Sequence, residues 1–384
     1  METAPRAEAL IDLAALRDNL SALRERAGSA ELMSVLKADA YGHGAVPCAR
    51  AAVAAGVRRL GTATPEEALA LRAAGIGRAQ ADVLCWLWTP GSPWREAVTA
   101  DVEICVSGMW ALPHVLDAVR ATGRPARVHL KVDTGLGRNG ASAREWHGLV
   151  AAARAAEAEG MISVTGVLSH LARADEPGHA SIVAQLDAFR EAVAVASKAG
   201  LRPRSRHIAN SAATLTLPES RFDMVRVGLA QYGLSPVPEL YSPAELGLRP
   251  VMTLRARVAH VKRVSEGHGI SYGHTYRTTG ETGLALVPLG YADGIPRHAS
   301  STGPVQVAGR RRTVAGRVAM DQFVVDLGSD AAEVEVGDPV EVFGAGEHGG
   351  PTAEEWARAA GTISYEIVTR IGARVPRRYL DGVG

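Results

Sequence analysis

At 384 residues the chain is long enough for roughly two to three domains, and 47% hydrophobic against 22% charged residues is the balance of a protein with a large core. A formal net charge of +1 excludes a global field that would draw it to nucleic acid or to an anionic membrane. The three cysteines, Cys48, Cys85 and Cys105, form no C-x-x-C pair, which excludes a disulfide framework and predicts buried, reduced thiols. The opening METAPRAEALIDL shows no apolar signal core, and no apolar run is long enough to span a bilayer. The expectation is a soluble, cytoplasmic protein.

From residue 31 to about 233, short β-rich runs alternate with alanine-rich helical stretches. The strand candidates are LMSVLK (32–37), RRLGTA (58–63), ADVLCWL (81–87), VEICVS (102–107), RVHLKVD (127–133), SVTGVLSH (163–170), SRHIANS (205–211) and FDMVRVGL (222–229). Thr64-Pro65-Glu66-Glu67 opens one of the intervening helices with an N-cap, a proline at the first helical position and a capping-box glutamate. Strands alternating with helices imply βαβ units and a parallel sheet. Eight such units predict a closed (β/α)8 barrel of the TIM type in preference to an open doubly wound sheet.

The texture changes near residue 234. A proline-rich stretch leads into MTLRARVAHVKRV, GLALVPLGY, PVQVAGRRRTVAGRVAMDQFVVDL and PVEVFG, with period-two alternation and close glycine turns. These predict a mainly antiparallel β domain, so the chain divides into residues 1–240 and 241–384. The basic run Arg310 to Arg312 reads as a solvated hairpin, and Thr352 to Gly361 as a helix capped by Thr352 and Glu355.

In such a barrel, chemistry sits where strands end. The first strand ends in Lys37, and desolvating a strand-end lysine lowers its pKa toward what imine formation needs. A lysine that merely snorkels to solvent is the alternative. The fifth strand carries Lys131 and Asp133 and runs into residues 135–140, a G-x-G-x-x-G match with Arg138 inside it. That match falls on the fifth unit, not the first, and reads as a decoy for a dinucleotide site. The sixth strand ends at His170, a position where a structural histidine is common. Asn210 and Ser211 close the seventh, and Arg226 with Gly228 the eighth, where barrels often hold a phosphate. No zinc motif, Ser-His-Asp elbow or Walker loop is present.

VLKADAYGHG, VDTGLGRNG, HIANSAATL, RVGLAQYG, ISYG, GYADGIPR, GRVAMDQ and ISYEIVTR together resemble the motif series of bacterial alanine racemases, most closely actinobacterial ones. They run in family order from residue 31 to 372, nearly the whole chain. Asp39 stands where many members have asparagine, and Ala319 where cysteine is frequent. The resemblance implies pyridoxal 5'-phosphate bound to Lys37 as a Schiff base. It implies a second base, Tyr272, supplied by the other subunit of a homodimer, with His170 as its partner and Arg226 facing the cofactor's ring nitrogen. Lys37 would serve D-alanine and Tyr272 L-alanine. Tyr41, Ser211, Gly228, Leu229 and Tyr365 match the phosphate cradle, and Asn210 is implied as a further cofactor-binding residue. Arg138 matches the residue that contacts the cofactor phenolate and the substrate carboxylate. The backbone at Met320, with Asp321 beside it, matches the partner's carboxylate contact. Tyr291, Arg297, Arg317 and Ile363 match the entrance, and Lys131 a lysine that some members carry carbamylated, an ion pair with a nearby acid being the alternative. The implied role is to supply D-alanine for peptidoglycan. Other readings are a pyridoxal-phosphate binding module, a decarboxylase of basic amino acids or a broad-specificity racemase. No metal, nucleic acid or membrane partner is implied.

Overall fold

The computed structural model describes residues 5–328 and 333–380. After β1 (Ala7–Asp12) come eight short strands: β2 (Glu31–Val35), β3 (Arg59–Thr62), β4 (Asp82–Cys85), β5 (Glu103–Val106), β6 (Ala126–Lys131), β7 (Ile162–Leu168), β8 (Ser205–His207) and β9 (Met224–Val227). They form one sheet in the order β8-β7-β6-β5-β4-β3-β2-β9, parallel in every pairing. Backbone hydrogen bonds from Asp223 N to Arg206 O (3.1 Å) and Arg226 N to Ala209 O (3.0 Å) join β8 to β9 and close the ring. The expected (β/α)8 barrel is therefore present.

Alternate side chains on each strand point to opposite faces. On β6, Val128 and Leu130 pack outward with the helices in the main core. His129 and Lys131 turn inward and are buried. The barrel interior is part apolar, with Met33, Leu84, Cys105, Leu168 and Met224 forming their own cluster. The rest of it is polar: Glu103, His129, Lys131, His207 and Arg226 are all buried there. The three cysteines are free and buried, as composition implied. Capping boxes at Thr64/Glu67 and Thr352/Glu355 start the helices Pro65–Ala73 and Ala353–Ala360, at the positions read from sequence.

The second part holds β10 (Met252–Arg257), β11 (His260–Val264), β12 (Gly269–Ile270), β13 (Tyr276–Arg277), β14 (Thr282–Val287), β15 (Pro304–Val307), β16 (Arg310–Thr313), β17 (Phe323–Gly328), β18 (Pro339–Phe343) and β19 (Arg377–Leu380). A six-stranded sheet runs β16-β15-β18-β10-β1-β19, a three-stranded one β11-β14-β17, and β12 pairs with β13. Every pairing is antiparallel except β1 with β19. The run Arg310 to Arg312 lies on the edge strand of the β15–β16 hairpin, with Arg310 and Arg311 ion-paired to Glu333 and Glu355.

The N-terminus departs from the expected division at 240/241. β1 lies between β10 (Ala7 opposite Ala256) and β19 (Ala9 opposite Arg377), inside the C-terminal sheet. Its alternation marks a strand with one buried face, but nothing local says which sheet that face joins. The barrel begins only after β1, with the helix Leu13–Ala27.

Candidate active site

β2 ends at Val35, and Lys37 opens the turn that follows. Ala38, Asp39, Ala40 and Tyr41 all have φ between 52° and 55°, a left-handed turn with no glycine in it. Such backbone costs about 1–2 kcal/mol per non-glycine residue, so neighbours must hold it. Glu67 does so from the next helix: Ala38 N donates to Oε1 (2.6 Å), while Ala63 N and Thr64 N donate to Oε2 (2.8 and 3.2 Å). Asp39 Oδ1 accepts from Ala45 N at 2.7 Å, an interaction that asparagine would serve equally well. The turn is left-handed where it meets the helix Ser364–Thr369. At Gly42 (φ 81°) a Cβ would stand 2.5 Å from Val368 O.

The result aims Lys37 into the barrel mouth. Among the described residues its amine has no hydrogen-bond or ion-pair partner, and Nζ stands 5.7 Å from the Tyr41 ring centroid. Burial, then the Arg138 and Arg226 charges, lower its pKa against an opposing pull from Glu67. Tyr41 is buried beside Tyr232 and Tyr365, at ring distances of 5.0 and 6.1 Å. Its hydroxyl lies where a side chain at Gly228 would start, 2.3 Å from the Cβ that glycine lacks. Ser211 Oγ accepts from Gly228 N (2.8 Å) and Ala230 N (3.4 Å), leaving its own proton to donate. Asn210 caps the helix Ser211–Thr216 by accepting from Ala213 N at 3.0 Å. Tyr41, Ser211, Gly228 and Tyr365 are thus close neighbours, and Leu229 follows Gly228 in the chain.

Arg226, two residues before Gly228 on β9, has its guanidinium anchored at both terminal nitrogens. Nη1 donates to His207 Nδ1 (3.0 Å) and His207 O (3.1 Å). Nη2 is shared among Ser169 O (2.8 Å), His170 Nδ1 (3.0 Å) and Ile208 O (3.1 Å). Burial pulls its pKa down only to about 10, so it stays charged near neutrality. Arginine can only donate, hence the Nδ1 of His170 must accept and any proton of the neutral ring sits on Nε2. Burial and the surrounding cations push the His170 pKa well down.

Lys131 is buried nearby, its pKa lowered chiefly by burial and by Arg226 and Arg138 against pulls from Cys105 and Asp133. The alternative of an ion pair with an acid fails: among the described residues Lys131 has no carboxylate partner, because Asp133 is engaged elsewhere. Asp133 Oδ1 accepts from Gly135 N, Leu136 N and Gly137 N at 2.9, 3.0 and 3.2 Å. Those bonds consume the amides a G-x-G-x-x-G loop would offer a phosphate, and the Ser142/Glu145 capping box closes the next helix. The fingerprint is a decoy, and Arg138 within it is exposed at the mouth.

The other expected site residues lie apart. Tyr272, 70% exposed, sits on a turn where Ser271 Oγ donates to Arg317 O at 2.6 Å. Tyr291 N and Ala292 N donate to Ala319 O (3.0 Å) and Met320 O (2.9 Å), which holds Met320 outward. Asp321 pairs with Arg374 at 2.7 Å, and Arg297 is exposed. Among the described residues nothing joins Tyr272 to the Lys37 cluster. Ile363 instead borders the barrel mouth, lining with Tyr365, Asn210 and Asp175 a groove of about 1080 Å³. The expected site residues therefore fall into two groups that stand apart in one copy of the chain. Sequence reading passed over Glu67 and His207. Glu67 was visible only as a capping glutamate, and His207 lay inside a strand read through to Ser211.

Among the described residues no His, Cys, Asp and Glu cluster is placed to hold a metal, and no helix is long and apolar enough to cross a membrane. Family models for the alanine racemase N-terminal and C-terminal domains match residues 11–236 and 251–379. The alanine racemase of Streptomyces coelicolor is 65% identical over 378 residues, 98% of this chain and 96% of that one. The alanine racemase of Mycobacterium avium is 48% identical over 98% of this chain and 95% of its own. The crystal structure of alanine racemase from D-cycloserine producing Streptomyces lavendulae superposes with a TM-score of 0.97 at 64% identity, covering 100% of this chain and 99% of the other. With both domains matched, relatives this similar and the same barrel, the chain belongs to the alanine racemase family of isomerases.

Proposed function

We propose that this protein interconverts L- and D-alanine as a homodimer, with pyridoxal 5'-phosphate at the mouth of the barrel and two bases facing each other across it. The observation that carries the reading is Lys37: an amine without a partner, its pKa lowered, held by a strained turn in a pocket otherwise lined by donors. The pocket suits the group. Gly228 lacks the side chain that would collide with the Tyr41 hydroxyl, so that hydroxyl and the Ser211 hydroxyl both stand against the glycine backbone. When bound, the cofactor supplies an aldehyde for the amino group and an electron sink that acidifies the α-proton.

The protein's own residues do the rest. Lys37 takes or delivers the α-proton on one face of Cα, and Tyr272 from a second copy of the chain does so on the other. The first acts on the D-enantiomer, the second on the L-enantiomer. An unperturbed tyrosine has a pKa of about 10, so Tyr272 needs a donor to its oxygen. His170 offers one, because Arg226 fixes the only proton of its neutral ring on Nε2. Arg226 keeps its charge and presents a donor to the cofactor's ring nitrogen without giving up a full proton. That makes a weak electron sink, which favours return of the proton over transamination. Arg138, exposed at the mouth, holds the substrate carboxylate together with the Met320 backbone and Asp321 of the second copy. Tyr291, Arg297, Arg317 and Ile363 border the entrance. Lys131, buried without an acid, is placed to add carbon dioxide at its neutral amine, giving a carbamate that orients Arg138 and releasing one proton. The D-alanine product would serve peptidoglycan synthesis in the cytoplasm.

Borohydride treatment of the purified, yellow protein should fix the cofactor onto the peptide that carries Lys37. A colourless protein with no labelled peptide would remove the reading. Tyr272→Phe should slow removal of the L-alanine α-proton far more than that of D-alanine, measured by exchange in deuterated water. Equal exchange of both enantiomers near the wild-type rate would defeat the two-base assignment.

A further inference from the structure

Among the described residues Arg226 is buried with no carboxylate in contact, and Arg138 brings further positive charge to the same mouth. A buried cation needs acceptors, and following those acceptors leads down the inside of the barrel. Arg226 Nη1 donates to His207 Nδ1 at 3.0 Å, and His207 Nε2 meets His129 Nδ1 at 2.9 Å. His129 Nε2 then stands 3.3 Å from Glu103 Oε2, off the ideal line, and neither atom has another hydrogen-bond partner. Glu103 is the first residue of β5, at the far rim from the catalytic mouth. Both imidazoles and Glu103 are at most 1% exposed.

The proton order along this line has one solution. Arginine cannot accept, so His207 Nδ1 carries a lone pair and its proton sits on Nε2. His207 therefore donates to His129 Nδ1, which leaves the His129 proton on Nε2, facing the Glu103 carboxylate. Every donor points from Arg226 toward Glu103. The carboxylate is itself built in: Oε1 accepts from Arg127 (2.8 Å) and Thr165 (3.3 Å), and Arg59 lies 3.6 Å from Oε2. Burial opposes its charge, but the His129 ring and the Arg127 and Arg59 guanidiniums beside it more than offset this and hold its pKa below the usual carboxylate range. The fold also makes room for the line. At Gly166 on β7 a Cβ would stand 2.2 Å from His129 Nδ1, so only glycine lets the ring lie there.

We propose that Glu103 is a positioning residue for the reaction: through His129 and His207 it polarises a one-way hydrogen-bond line that ends on Arg226. A carboxylate behind an imidazole makes the far nitrogen a better acceptor, and successive bonds strengthen one another. His207 then holds Arg226 firmly, and the Glu103 charge raises the guanidinium's hold on its own protons. The terminal nitrogens are committed, and Nε, which takes part in none of these bonds, is the donor left for the cofactor's ring nitrogen. This rests on the pyridoxal-phosphate reading given above. Without the carboxylate, Arg226 becomes a stronger donor, the electron sink deepens, and the reaction strays toward transamination.

The test uses full-length protein labelled with ¹⁵N-histidine, with and without added pyridoxal phosphate. His129 and His207 are identified by the loss of their signals in His129→Gln and His207→Gln. In the wild type both rings should carry their proton on Nε2, and the His207 ring should not titrate between roughly pH 6 and 8. Glu103→Gln should shift the His207 Nδ1 resonance and raise the pyruvate formed per racemisation severalfold. Gly166→Ala, which displaces His129 without altering any charge, should do the same. An Nδ1–H tautomer or an imidazolium at either ring overturns the proposal, and the wild type alone decides this even if the variants do not fold. Folded variants with an unchanged His207 resonance and unchanged pyruvate yield overturn it too. A wild type that binds no pyridoxal phosphate would instead remove the underlying functional reading, while the tautomers of the cofactor-free protein stay readable.

Discussion

At the scale of single residues, two desolvated lysines share one cause and one consequence. Lys37 and Lys131 both sit in the barrel mouth with pKa values lowered first by burial and then by neighbouring guanidiniums. Their ordinary value, 10.5, applies in the unfolded chain. Between the lowered folded values and 10.5 the unfolded chain binds more protons, so stability rises with pH through that window. Cofactor-free protein should therefore gain stability as the pH is raised toward 10.5, and the gain should shrink in Lys37→Met and again in Lys37→Met/Lys131→Met. Denaturant midpoints across that range check it, and equal slopes in all three proteins would contradict it. Lys37 could be suspected from sequence because it closes an apolar strand. That Lys131 stands without an acid could not be, because the fate of Asp133 depends on three amides in a loop whose shape no spacing reveals.

At the scale of elements, the turn after β2 is the feature that aims Lys37. ADAY contains no glycine and gives no sign of a left-handed turn, so its geometry was hidden in the sequence. The bonds that compensate it come from Glu67, and the helix Ser364–Thr369, far along the chain, packs close against Gly42. Ala38 is exposed, so replacing it changes backbone strain and little else. Ala38→Gly should relieve about 1–2 kcal/mol of left-handed strain while adding about 0.5–1 kcal/mol of chain entropy to the cost of folding. The net is a stabilisation of up to about 1.5 kcal/mol, whereas the branched side chain of Ala38→Val should destabilise. Thermal melts decide this, and a glycine variant that melts well below wild type would show that the turn is not strained. The barrel strands, by contrast, were legible, because each depends only on a few neighbouring apolar residues and a turn. Capping boxes at Thr64 and Thr352 were legible for the same reason.

At the scale of the whole molecule, what sequence could not show is where distant pieces meet. β1 was not among the strands read from sequence, and its place between β10 and β19 ties Ala7–Asp12 to the C-terminal sheet. Tyr272, Met320 and Tyr291 are exposed on one part of the chain, while the Lys37 pocket opens on another. Motif resemblance grouped these residues in one site, but a single copy does not bring them together. The account requires two copies, each lending its exposed tyrosine to the other's barrel, as a twofold-symmetric pair does twice over. The most direct test mixes two inactive variants, Lys37→Ala and Tyr272→Phe, after dissociation and reassociation. In each mixed dimer one site carries both defects and the other neither, so random pairing should restore about a quarter of wild-type racemisation. A mixture that forms mixed dimers yet stays as inactive as its components would contradict the shared site.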